Sequence, residues 1–115
     1  MDELGCDIER VGERAHVCLS EALDLASRPA FADVADDVID GPADDVVIDL
    51  SALEFLDSTG VVELLRAARR AEERGIALRF IGPRDGAARR TAVVVGLARI
   101  LGWDDPEASD ALASG

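Results

Sequence analysis

Ser58 and Thr59 stand between a carboxylate, Asp57, and a glycine, Gly60, within the run Phe55-Leu56-Asp57-Ser58-Thr59-Gly60-Val61. Apolar residues precede this polar group and resume after it, so the hydroxyls fall where a buried strand gives way to a helix. Three chemistries suit hydroxyls at such a junction. A serine beside a base can act as a nucleophile. A hydroxyl at a helix start can accept from one of the unpaired first-turn amides, contributing roughly 1 kcal/mol. It can also receive a phosphoryl group, because a helix N-terminus offers free amides and partial positive charge to an anion.

Nucleophilic chemistry needs a base. His16 is the only histidine, it falls on an expected strand as a structural or exposed residue, and the chain has no lysine. There is no glycine-rich phosphate loop of the GxxxxGK type and no cluster with metal-ligand spacing. The chain is therefore not read as an enzyme, and no catalytic residue, cofactor or metal ligand is expected. Capping and phosphorylation both remain open on residue types. Neither hydroxyl has Glu or Gln three residues on, so no capping box selects between Ser58 and Thr59. Gly60 allows a tight turn or a close approach. A phosphate here would add about −1.5 to −2 charges and three acceptor oxygens next to Asp57. The fold would survive, and a partner packed on this corner would be repelled.

The elements that must position these residues follow from periodicity. Cys6 to Glu9 and Ala15 to Ser20 read as two strands joined by a turn at Gly12-Glu13 and paired antiparallel. Ala30, Phe31, Val34 and Val38 recur at helical spacing, with Ser27 as candidate cap, Pro29 in the first turn and Gly41-Pro42 as the stop. Asp45 to Leu50 is a short apolar run suited to a strand buried on both faces, followed by a loop over 51–54. From Thr59 to Arg74, Val61, Leu64, Leu65 and Ala68 form one stripe, and Gly75 suits a left-handed C-terminal cap. Ile76, Leu78 and Phe80 alternate as the next strand. A further helix is expected to end near Gly96, with a short strand or turn over Leu97 to Leu101 and a final helix from Pro106 to Leu112. Strands alternating with helices imply an α/β fold with parallel crossovers: a mixed sheet of four to five strands flanked by about four helices.

The chain has 115 residues, enough for one domain with one core, here about residues 6–103 with an acidic tail over 104–115. With three Phe, one Trp and no Tyr, that core must be aliphatic. A net charge of −12 argues against nucleic acid or an anionic membrane as main partner. The acidic start lacks a secretory pattern and no apolar run is long enough to span a bilayer, so a cytoplasmic address is expected. Cys6 and Cys18 read as small core residues, although a hairpin centred near Gly12 would let the thiols face each other. Eight of the twelve arginines lie between Arg66 and Arg90. Arg66, Arg69, Arg70 and Arg74 form either a solvated face paired with Glu63, Glu72 and Glu73 or a docking surface for an acidic partner.

The stretch VVIDLSALEFLDSTGVVELLRAARRAEERGIALRFIG, followed by VVVGLARILGW, resembles the STAS domain of bacterial anti-sigma factor antagonists. The similarity covers roughly Val17 to Trp103, and its most specific element is Asp-Ser-Thr-Gly after an apolar strand. The resemblance implies that Ser58 is phosphorylated by an anti-sigma factor with serine kinase activity, with Thr59 the secondary candidate. It implies that the unphosphorylated form binds that partner and frees the sigma factor, and that a phosphatase resets the phosphorylated form. Asp24, Asp57, Ser58, Thr59, Gly60 and Val61 are the partner-binding residues it implies, on a monomer or weak homodimer. The pattern Leu-Ser-Gly-Glu-Leu-Asp, common after the second strand in the family, is here Leu19-Ser20-Glu21-Ala22-Leu23-Asp24. Asp24 is kept, while Glu21 and Ala22 depart from it and bear on partner choice. The alternative is a STAS scaffold or small-ligand sensor, stressosome-like or transporter-associated, without a phosphate cycle.

Overall fold

The computed structural model describes residues 4–102. The chain runs β1 (Leu4–Val11), β2 (Arg14–Leu23), α1 (Arg28–Asp40), β3 (Asp45–Leu56), α2 (Ser58–Glu73), β4 (Ala77–Ile81), α3 (Gly86–Val95) and α4 (Leu97–Leu101). The strands form one sheet in the order β1-β2-β3-β4. β1 and β2 are antiparallel, and β3 joins β2 and β4 in parallel. The expected mixed α/β sheet is observed with four strands among the described residues. The expected helix over 106–112 lies outside them.

The two-residue turn at Gly12-Glu13 works because Gly12 takes a positive φ of 60° without a steric penalty. Strand alternation then sorts the side chains. Ala15, Val17 and Leu19 of β2, Val46, Ile48 and Leu50 of β3, and Phe80 of β4 share one cluster with Phe31, Val38 and Ile39 of α1 and Leu64, Ala67 and Ala71 of α2. The opposite face of the sheet carries His16, Cys18 and Asp49.

That sorting corrects the reading of the cysteines. The register pairs Cys6 with Leu19 and Asp7 with Cys18, so the two thiols lie on opposite faces and cannot meet. Both are free; Cys6 is half-buried against the core and Cys18 is exposed. Other expectations also change. β3 does not end at Leu50: residues 51–54 stay in the strand because they go on pairing with β2 through register shifts at Cys18/Ser20 and Glu21/Ala22. Ser27 occupies the N-cap position of α1, but its hydroxyl donates to the Ala22 carbonyl at 2.9 Å instead of capping. Leu97 to Leu101 is a helix. Gly96, with φ 69°, ends α3, and the i, i+4 pair Leu97 and Leu101 then packs inward as a second helical turn.

The arginine face of α2 finds its acids mainly on α1. Arg70 meets Asp40 at 2.8 Å and Asp36 at 3.3 Å, and Arg74 meets Asp40 at 3.7 Å. Asp36 and Asp40 are one turn apart, as are Arg70 and Arg74, so two adjacent helices zip acid against base. Within α2, Arg66 meets Glu63 at 3.6 Å, but Glu63 is only 2% exposed, in the seam among Phe31, Ala35 and Ala67.

Glu21 is the one non-glycine residue with positive φ among the described residues, at 68°. It sits at the second register shift, where the family pattern has glycine. A left-handed conformation costs a side-chain-bearing residue roughly 1–2 kcal/mol, of which glycine's greater unfolded entropy returns part. Glu21→Gly is therefore expected to stabilise the fold by about 0.5–1 kcal/mol, seen as a higher urea midpoint at unchanged slope. A lower midpoint would mean that the glutamate side chain supports the bulge.

Candidate functional site

At the end of β3, Leu56 is buried and anchors the strand against Leu23 at the end of β2. Asp57 then turns the chain. With φ −108° and ψ −177° it is the N-cap of α2, its Oδ1 accepting from the Gly60 amide at 2.9 Å. Its Oδ2 accepts from the Leu25 amide at 3.2 Å, and its own amide donates to the Leu23 carbonyl at 3.3 Å. One residue thus ties the start of α2 to the β2–α1 loop. The expectation that Ser58 or Thr59 caps the helix is corrected. The carboxylate holds that position, and both hydroxyls fall one and two residues inside the helix.

Ser58, released from capping, is exposed at the first position of α2, and Thr59 behind it is half-buried. Helix geometry leaves the amides of this first turn without intrahelical acceptors, so the corner combines partial positive charge with the Asp57 carboxylate. Gly60 is buried, and Val61 is 8% exposed. These two support the corner from beneath instead of presenting atoms at its surface. A Cβ on Gly60 would lie 2.5 Å from the Leu23 carbonyl oxygen. Gly60 thus permits a close approach, one of the two roles its sequence context allows.

Asp24 closes the neighbouring loop. Its Oδ1 accepts from the Ser27 amide at 3.0 Å and from the Ser27 hydroxyl at 3.1 Å. The structure therefore brings Asp24, Asp57, Ser58, Thr59, Gly60 and Val61 to one end of the sheet. Three exposed apolar side chains that the sequence reading passed over join them: Leu25, Phe55 and Val62. Leu25 is bound through its amide to Asp57, Phe55 stands two residues before it, and Val62 is one turn after Ser58. A signal was available in Val62, which falls off the apolar stripe of α2.

His16 does not serve this corner. It pairs with Val47 near the start of β3, on the order of 30 Å of strand away from Leu56. Its Nε2 lies 3.1 Å from Asp49 Oδ2 on the face away from the helices. Cys18 stands beside them. Burial first, and then the carboxylates of Asp49, Asp7 and Glu9, push its thiol above the ordinary range. No helix among the described residues is long and apolar enough to cross a membrane.

A mixed four-stranded sheet, with a capping Asp and an exposed Ser opening the helix after its third strand, defines a STAS-type architecture. The family model described as "Mlab, STAS domain" matches residues 6–102, and the chain belongs to the STAS domain family. An anti-sigma factor antagonist from Mycobacterium paratuberculosis is similar in structure, with a TM-score of 0.77 at 26% identity over 96% of this chain and 92% of that one. The anti-sigma factor antagonist SpoIIAA in its unphosphorylated form gives 0.72 at 21% identity, over 96% and 98%. The phosphorylated form of SpoIIAA, a Bacillus cell fate determinant, gives 0.67 at 20% identity over the same shares. Among curated proteins none matches the sequence.

Proposed function

We propose that this chain is an anti-sigma factor antagonist whose corner around Ser58 docks on an anti-sigma factor with serine kinase activity. Phosphorylation of Ser58 switches docking off, a phosphatase restores it, and sigma-factor-dependent transcription follows the cycle. The observation that carries this reading is the division of labour between two adjacent residues: Asp57 caps α2, and Ser58 stands exposed beside it with no packing duty. The hydroxyl can therefore be modified without loss of a structural contact. Leu25, Phe55 and Val62 supply apolar contact around it, and Asp24 and Asp57 hold the two loops that frame it. Thr59 is the secondary acceptor; its partial burial disfavours it. Support also comes from SpoIIAA, which exists in phosphorylated and unphosphorylated forms, both with this fold.

Mixing the protein with its cognate kinase and ATP, followed by peptide mass spectrometry, tests the proposal. Phosphate is expected on Ser58, and Ser58→Ala is expected to bind the kinase while accepting none. Phosphate on Ser20 or Ser51 with Ser58 unmodified would overturn it.

A further inference from the structure

We propose that the sheet face turned away from the helices holds a binding site for a divalent cation of the zinc class, with His16, Cys18 and Asp49 as its protein ligands. The strand register builds it. His16 and Cys18 are two residues apart on β2 and project to the same face, and Cys18 lies beside Asp49 of β3. The imidazole nitrogen, the thiol sulfur and the carboxylate oxygen all lie within 4.8 Å of one another. Around a tetrahedral zinc, with metal–ligand distances of about 2.0–2.3 Å, such donors sit about 3.3–3.8 Å apart. The His16–Asp49 pair stands at 3.1 Å, close to that range, and no pair of the three donors exceeds it by more than about 1–1.5 Å.

Two further features suit a metal. Asp49 Oδ1 accepts from the Ser51 amide at 2.9 Å, which fixes the carboxylate and turns Oδ2 toward His16, the outer-sphere support that metal-bound carboxylates need. On β1, Asp7 and Glu9 stand opposite Cys18 and His16, adding negative charge on a protein of net charge −12. A set of one nitrogen, one sulfur and one oxygen favours zinc or cobalt over the hard cations calcium and magnesium. Three protein ligands on an accessible face leave a fourth position for water or a partner's side chain. Coordination takes the thiolate of Cys18 and releases its proton to solvent.

Cobalt titration of the metal-free full chain tests this, independently of Ser58. One Co²⁺ per chain is expected, with the visible bands of a tetrahedral ion and a near-ultraviolet thiolate-to-cobalt band that Zn²⁺ abolishes by displacement. Cys18→Ser, His16→Ala and Asp49→Asn should each weaken binding by at least about tenfold. Cys6→Ser, on the opposite face, should leave it unchanged. Absence of the thiolate band in the wild-type chain, or its loss in Cys6→Ser with retention in Cys18→Ser, would overturn the proposal. Thermal melting gives a second readout. Zn²⁺ should raise the midpoint of the wild type and of Cys6→Ser but not of Cys18→Ser, and equal shifts in all three would also overturn it.

Discussion

Gly60→Ala is expected to destabilise the protein by about 2–3 kcal/mol, the reverse of what helix propensity alone predicts. In an open helix the change would stabilise by about 1 kcal/mol. Here the added Cβ would stand 2.5 Å from the Leu23 carbonyl oxygen, 2.7 Å from Leu56 Cδ1 and 3.1 Å from Leu23 Cγ. None of these can yield easily. Leu23 and Leu56 are paired strand ends with almost no exposure, and the Leu23 carbonyl already accepts from the Asp57 amide. Relief must come from levering the start of α2 away from β2, which strains the bonds from Asp57 to the amides of Gly60 and Leu25. Urea unfolding measures the loss. Gly75→Ala is the control: its φ of 70° is left-handed but its surroundings are open, so about 1 kcal/mol is expected. A Gly60→Ala variant as stable as wild type would mean that the two segments are not held this tightly.

The second large effect follows from the proposed function. Phosphorylated Ser58 is expected to lose affinity for the anti-sigma partner by about 10²–10³-fold, with folding stability within about 1 kcal/mol of the unmodified protein. At the start of α2 a phosphate gains from the free amides and the helix dipole, and loses a similar amount to Asp57 one residue away. Those effects offset within the folded protein, but nothing offsets them at an interface. A group of charge about −1.5 to −2 must then be desolvated or placed against the partner, at a cost of several kcal/mol, and each 1.4 kcal/mol is about tenfold in affinity. Ser58→Asp, with one charge on a shorter arm, should reproduce only part of the loss. Calorimetric titration and thermal melting read the two halves separately. A modified protein that binds undiminished, or that unfolds, would contradict the account.

Much of this architecture was legible in the residues. The alternation of Ile76, Leu78 and Phe80, the helical recurrence of Phe31, Val34 and Val38, and Gly75 after the long helix are local signals, and the elements they mark are observed. Local rules failed where a distant segment decided. The run Ser51 to Glu54 has polar ends and reads as a loop, yet β2 supplies it with a pairing partner. Leu97 to Leu101 is too short to announce its state, and becomes helical because the core accepts Leu97 and Leu101 on one face. Arg70 has Glu73 at helical spacing on its own helix, but the packing of α1 presents Asp36 and Asp40 in better positions.

The candidate corner divides in the same way. Residue types alone marked Asp57-Ser58-Thr59-Gly60 as a strand-to-helix junction and left capping and phosphorylation both open, because capping chemistry and hydrophobic period act over three or four residues. Which residue caps, why Gly60 tolerates no side chain, and how Leu25 and Asp24 come to frame Ser58 were decided only by the approach of the β2–α1 loop. The gathering of His16, Cys18 and Asp49 is likewise invisible in the chain, since it depends on the parallel register of two strands more than thirty residues apart. Short-range chemistry is written in neighbouring residues. Long-range register is set by burying one face of the whole sheet at once, and no single segment carries that information.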